Sequence, residues 1–186
     1  VGAVERLLAL GADVRKRSGT SDTAIHYAAE MGNEELIHLF LGKGLKVDEE
    51  GFAETTPLFN AAEKGREGAV RLLASLGADL NATDIWSSSP MHLAAMNGHA
   101  GVCVALYECG GDLEARDWAY RTPLHVAASM GDNVCVKALL GLGADLEARA
   151  ENDMNALEWA EWRNYTSTAR VLAHAMGIVE VDEDEL

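Results

Sequence analysis

Proline is scarce in this chain: three in 186 residues, at Pro57, Pro90 and Pro123. Every other position is free of the one residue that breaks a helix interior outright. Cysteine is also limited to three, Cys103, Cys109 and Cys135, with no Cys-x-x-Cys spacing. That excludes a disulfide framework and a paired-thiolate metal site. Basic side chains number 15 against 30 acidic ones, for a net charge of −15 and a pI of about 4.7. A chain so poor in cations is ill suited to nucleic acid, whose phosphates need a basic patch, and to an anionic membrane surface. No apolar run approaches the roughly 20 residues of a membrane-spanning helix. No secretory leader is visible, and free thiols fit a reducing compartment, so an intracellular setting, cytoplasmic or nuclear, is expected.

What the chain does have is a beat. Thr23, Thr56, Ser89, Thr122 and Asn155 stand 33 residues apart, without a slip. Each opens a variant of one phrase: Thr23-Ala-Ile-His, Thr56-Pro-Leu-Phe, Ser89-Pro-Met-His, Thr122-Pro-Leu-His and Asn155-Ala-Leu-Glu. A second phrase keeps the same period at Gly11-Ala-Asp, Gly44-Leu-Lys, Gly77-Ala-Asp, Gly110-Gly-Asp and Gly143-Ala-Asp. A fixed period of this length marks a solenoid. The two phrases in register resemble the ankyrin-repeat family over essentially residues 1–177. The resemblance implies an all-α solenoid of helix-turn-helix units joined by β-hairpin-like turns.

Within one unit the physics is local. Thr122 is a helix N-cap residue, and Pro123 occupies the first helical position, where a missing N–H costs nothing. All three prolines fall in this slot. The spacing predicts inner helices near 24–31, 57–64, 90–97, 123–130 and 156–163. Gly32, Gly65, Gly98 and Gly131 close the first four, because glycine tolerates the left-handed C-terminal position. Paired alanines such as Ala127-Ala128 let neighbouring helices approach closely. One helix pair cannot bury its own apolar face, so stability must come from stacking. His26, His92 and His125 invite a metal or catalytic reading, but the resemblance implies a structural hydrogen-bonding residue, and Phe59 and Glu158 stand in its place in two copies.

The expected organisation is an incomplete N-terminal unit, consisting of a second helix only, over residues 1–17. Repeats follow at 18–50, 51–83, 84–116 and 117–149, then a capping repeat at 150–177 and an acidic tail at 178–186. Polar residues in the last unit, Thr166, Thr168, Arg170 and His174, suit a cap. Val4, Leu7 and Leu8 of the first unit lack a packing partner on one side.

Function is broader. No nucleophile elbow, phosphate-binding glycine loop or paired-histidine zinc motif occurs, so no enzyme activity, metal or other cofactor is expected. The resemblance implies a binding module that takes a protein or peptide on the concave face, built from hairpin tips and the exposed side of the inner helices. Large apolar or stacking side chains are common at those wet positions: Phe52, Ile85, Trp86, Met96, Trp118, Tyr120, Met130 and Trp162. Arg116, Arg121 and Arg163 border them. Trp, Tyr and Arg are the residue types that dominate binding hot spots. The rings have an alternative role in bracing neighbouring hairpins. Asp22, Glu30, Glu50 and Glu63 at one end against Arg116, Arg121, Arg149 and Arg163 at the other suggest a charge gradient. The residues around Asn81 resemble the hairpin asparagine hydroxylated in some ankyrin arrays. The expected protein is a monomeric interaction scaffold. The alternatives are a regulatory or targeting part of a larger enzyme or signalling protein, and a structural spacer within a complex.

Overall fold

The first residue of each phrase marks where backbone turns from extended to helical. Thr23, Thr56, Ser89, Thr122 and Asn155 all have ψ between 166 and 179°. The residues after them enter a helix, with Pro57, Pro90 and Pro123 at its first position. The computed structural model describes residues 1–178. In chain order the α-helices are α1 (Gly2–Ala9), α2 (Ala24–Met31), α3 (Glu34–Gly42), α4 (Pro57–Glu63), α5 (Glu67–Ser75), α6 (Pro90–Met96), α7 (Ala100–Glu108), α8 (Pro123–Met130), α9 (Asn133–Gly141), α10 (Ala156–Trp162) and α11 (Thr166–Ala175). A short 3-10 turn lies at Phe52–Glu54. No strand occurs among the described residues, so the hairpins between units are turns joined by isolated hydrogen bonds.

Stacking follows the period. Inner helices α2, α4, α6, α8 and α10 pack in a row, and outer helices α5, α7, α9 and α11 pack in a second row behind them. Ile25, Leu58, Met91, Leu124 and Leu157 form one buried ladder, and Phe40, Leu73, Leu106, Leu139 and Leu172 another. Each rung contributes roughly 2 kcal/mol by leaving water. The alanine pairs of α2, α4, α6 and α8 are buried between adjacent inner helices, where larger side chains would hold the row apart.

The histidines tie one unit to the next. In α8, the His125 Nδ1 accepts the Thr122 backbone N–H at 3.2 Å and lies 2.8 Å from the Thr122 hydroxyl. Its Nε2 faces the Met154 carbonyl of the following hairpin at 3.2 Å. Since a carbonyl only accepts, the ring carries its proton on Nε2 and is neutral. His92 repeats the arrangement with Ser89 and the Arg121 carbonyl, and His26 with Thr23 and the Thr55 carbonyl. In α10, Glu158 plays the reciprocal part, accepting the Asn155 N–H at 2.8 Å.

The two ends differ. Helix α1 buries no residue, and Leu10 just beyond it is 85 % exposed. Val4 and Leu8 pack partly on the core, whereas Leu7 faces water. At the other end one polar residue of the last unit, Thr168, is buried and donates to Asn133 Oδ1 at 2.7 Å. The acidic stretch Glu180–Glu185 lies outside the described residues.

Candidate functional site

Each hairpin is closed by its own side chains. Asp84 Oδ1 accepts the N–H groups of Trp86 and Ser88 at 2.9 and 2.8 Å. One period later Asp117 Oδ1 accepts those of Ala119 and Arg121, both at 2.9 Å. The tip residue that follows must adopt positive φ: 65° at Ser21, 65° at Glu54, 56° at Ser87, 57° at Tyr120 and 60° at Asp153. This is glycine's preferred region, yet no glycine is used at any of the five. Neighbouring tips join through single backbone bonds, Ile85 N–H to the Ala53 carbonyl at 3.1 Å and Trp118 N–H to the Trp86 carbonyl at 3.0 Å. The tips from Ala53 to Glu151 are therefore linked into one edge.

Between that edge and the inner helices runs a cleft of about 570 Å³. Phe52, Trp86 and Trp118 enter it from the tips, and Phe59, Leu93 and Met96 from α4 and α6. Trp118 is 62 % exposed and Trp86 49 %, so about half or more of each residue stands in water. Polar groups at the cleft include Asp22, Asn60, Glu63, Asp84, Asn97 and Arg121.

The sequence candidates thus divide. Phe52, Trp86, Met96, Trp118 and Arg121 come together in the cleft. Ile85, Tyr120 and Met130 are exposed but do not line it. Trp162 and Arg163 form a separate cluster on the last inner helix. The Arg163 guanidinium sits 5.7 Å over the Trp162 ring, which meets Trp159 edge-on at 5.6 Å between centroids. The Trp159 indole N–H is buried without an acceptor. Asn81 sits outside the cleft, and its Oδ1 accepts the Asp112 N–H at 2.8 Å, bracing the next unit. Asp48 and Glu114 do the same at their own steps of the period.

The charge gradient is partly consumed inside the chain. Arg116 donates to the carbonyls of Tyr120 and Arg149, and Arg17 to those of Ser21 and Glu50. Arg149 bonds the Asp153 carbonyl at 2.7 Å and pairs with Glu158 at 2.8 Å. Arg121 pairs with Asp117 at 2.6 Å. These guanidiniums rivet hairpins together; Arg17, Arg121 and Arg149 are also paired with carboxylates, and Arg17, Arg116 and Arg149 stay exposed.

Residues of catalytic type are placed structurally. Burial lowers the affinity of His26, His92 and His125 for a second proton, against weaker opposing effects of nearby carbonyls and carboxylates. The neighbouring Cys135 thiol and burial push the Cys103 thiol far above its ordinary range. A thiol so held is a poor nucleophile. Among the described residues no group of three or more His, Cys, Asp or Glu is placed to hold a metal. Among them, too, no helix is long and apolar enough to cross a membrane.

A family model described as ankyrin repeats (3 copies) matches residues 1–84 and 91–183. The chain belongs to the ankyrin-repeat family. No curated protein matches it. Ankyrin repeats generally mediate protein–protein interaction and are typically non-catalytic. The cleft of this ankyrin array includes Ala53, Asn60, Asp84 and Leu93, which sequence reasoning did not single out, and Phe59, which it read only as a substitute for the repeat histidine. Asp84 had a readable signal, since it stands one period before Asp117 while Ser88 stands where Arg121 would be.

Proposed function

We propose that this ankyrin array is an intracellular recognition module that holds an extended segment of a partner protein in the cleft between its hairpin tips and inner helices. The observation that carries this reading is the convergence of Trp86, Trp118, Phe52 and Met96, all exposed, along one cleft of about 570 Å³. Apolar side chains gathered at a wet concavity cost solvation that a partner would recover. Trp is the residue type most often responsible for that recovery. The free thiols at Cys103, Cys109 and Cys135 fit a reducing compartment. We propose the repeat boundaries given above, with the partner seated on the units spanning residues 51–149.

The test is affinity capture from cells with the chain and with a Trp86→Ala/Trp118→Ala variant of matched thermal stability. The variant should lose its bound proteins, because truncating a hot-spot Trp costs about 2 kcal/mol or more, on the order of thirtyfold in affinity. Lys137→Ala, on the exposed outer helix α9, should retain them. The reverse pattern would move the functional surface to the convex side.

A further inference from the structure

Asp84 and Asp117 are the same residue one period apart, and they differ in one partner. Both are buried, with 7 % and 4 % exposed. In both, Oδ1 takes the two hairpin N–H groups. Asp117 Oδ2 has a cation, the Arg121 guanidinium, at 2.6–2.8 Å. At Asp84 the register puts Ser88 where Arg121 would be. Asp84 Oδ2 makes no hydrogen bond or ion pair among the described residues. Asp84 lines the cleft together with Trp86 and Ser88. Within this otherwise buried residue Oδ2 keeps contact with solvent, so it is a carboxylate oxygen without a cation at the cleft wall. Charges placed so deep are ordinarily paired.

Three further features bear on what fills it. Among the described residues the one basic side chain lining the cleft, Arg121, is consumed by Asp117, while Asp22 adds negative charge to the same walls and Glu63 is paired with Lys64 at 2.9 Å. Trp86 and Trp118 offer ring faces to a planar cation, and the molecule already uses that contact between Arg163 and Trp162. The Asn60 side-chain amide makes no hydrogen bond among the described residues and lines the cleft, where a peptide backbone could meet it.

We propose that the cleft takes an extended basic segment of its partner, and that an arginine of that segment pairs with Asp84 Oδ2 between the rings of Trp86 and Trp118. This inference rests on the reading of the cleft as a peptide site and specifies its occupant. Arginine fits better than lysine because its flat guanidinium donates in a fork to a carboxylate while stacking on an aromatic face. The partner's guanidinium would stand at Asp84 as Arg121 stands at Asp117. The chain's net charge of −15 attracts such a segment at long range.

The experiment starts from a phage-displayed library of random peptides panned on the whole chain, with counter-selection on the Trp86→Ala/Trp118→Ala variant. Arginine should dominate one position of the enriched peptides. Fluorescence anisotropy then compares an enriched peptide with its citrulline twin, which keeps the shape and lacks the charge. The citrulline peptide should bind about tenfold more weakly, the scale of a lost charged hydrogen bond. Asp84→Asn preserves the Oδ1 acceptor and should weaken the arginine peptide similarly while leaving the citrulline peptide unaffected. The citrulline comparison needs no change in the protein, so it stands even where Asp84→Asn unfolds. Enrichment of acidic or purely aliphatic peptides, or equal binding of arginine and citrulline, overturns this inference and leaves the cleft as a peptide site. No enrichment above the double variant overturns both.

Discussion

The hydroxyl of Thr56 is buried without a hydrogen-bond partner because the residue three positions on, Phe59, is not histidine. At Thr23, Ser89 and Thr122 the same hydroxyl meets a histidine Nδ1, at 2.8–3.1 Å. One period thus carries an orphaned polar atom within an otherwise regular array. Phe59 turns the site into apolar wall, and its side chain lines the cleft.

Two substitutions separate these environments. Thr122→Ala removes a satisfied cap and should cost about 1 kcal/mol in urea titration. Thr56→Val replaces an unsatisfied hydroxyl with a methyl of the same shape and should leave stability unchanged or raise it. A comparable loss from both would mean that Thr56 caps α4 as Thr122 caps α8.

Acid should loosen the array through its histidines. His26, His92 and His125 bind a second proton less readily when folded than their ordinary value of 6.5, chiefly because they are buried. The unfolded chain therefore takes up more protons as pH falls through that value, and stability rises with pH wherever the unfolded state binds more. Midpoints of urea unfolding should fall as pH is lowered from neutrality through 6.5. His125→Gln should flatten that dependence. A profile level across this range would show that the rings are accessible to protons in the folded state.

Asp48 should behave in the opposite sense. Burial, aided by the charge of Asp79, raises its proton affinity above the ordinary carboxylate value, against the Asp79 N–H that it accepts. A raised value means that stability is fully present below the ordinary carboxylate range and is lost as pH rises through the folded value. The ionised form is therefore the costly one at neutral pH. Asn81, its equivalent one period on, makes the same bond to Asp112 without a charge. Asp48→Asn should raise the thermal midpoint at pH 7 and make no difference in strong acid.

Tyr120 holds φ at 57°, a region that costs an ordinary side chain about 1–2 kcal/mol. Tyr120→Gly should therefore stabilise the hairpin. The gain is offset by the greater freedom of glycine in the unfolded chain, about 0.4–1 kcal/mol, and a net rise of roughly 0.5–1 kcal/mol is expected by thermal unfolding. A loss instead would show that the ring, although 60 % exposed, braces its neighbours.

The 33-residue beat was enough by itself to determine the fold class and the start of every inner helix, because capping and proline placement are local chemistry written into four adjacent residues. It also marked Trp86 and Trp118 as rings at solvent-facing positions. Other relationships depend on side chains a whole period apart, which only stacking brings together. Arg116 and Arg149 read as free surface charge, yet the fold turns their guanidiniums onto backbone carbonyls. Thr168 is a polar residue of the last unit, and Asn133 of the preceding unit supplies its acceptor and lets it be buried. Asp84 and Asp117 share their hairpin bonds, and the residue four positions on separates them: Arg121 pairs with Asp117, whereas Ser88 brings Asp84 no cation. Local propensity sets where helices begin, but whether a polar side chain such as Thr168 can be buried is decided by what the neighbouring unit places against it.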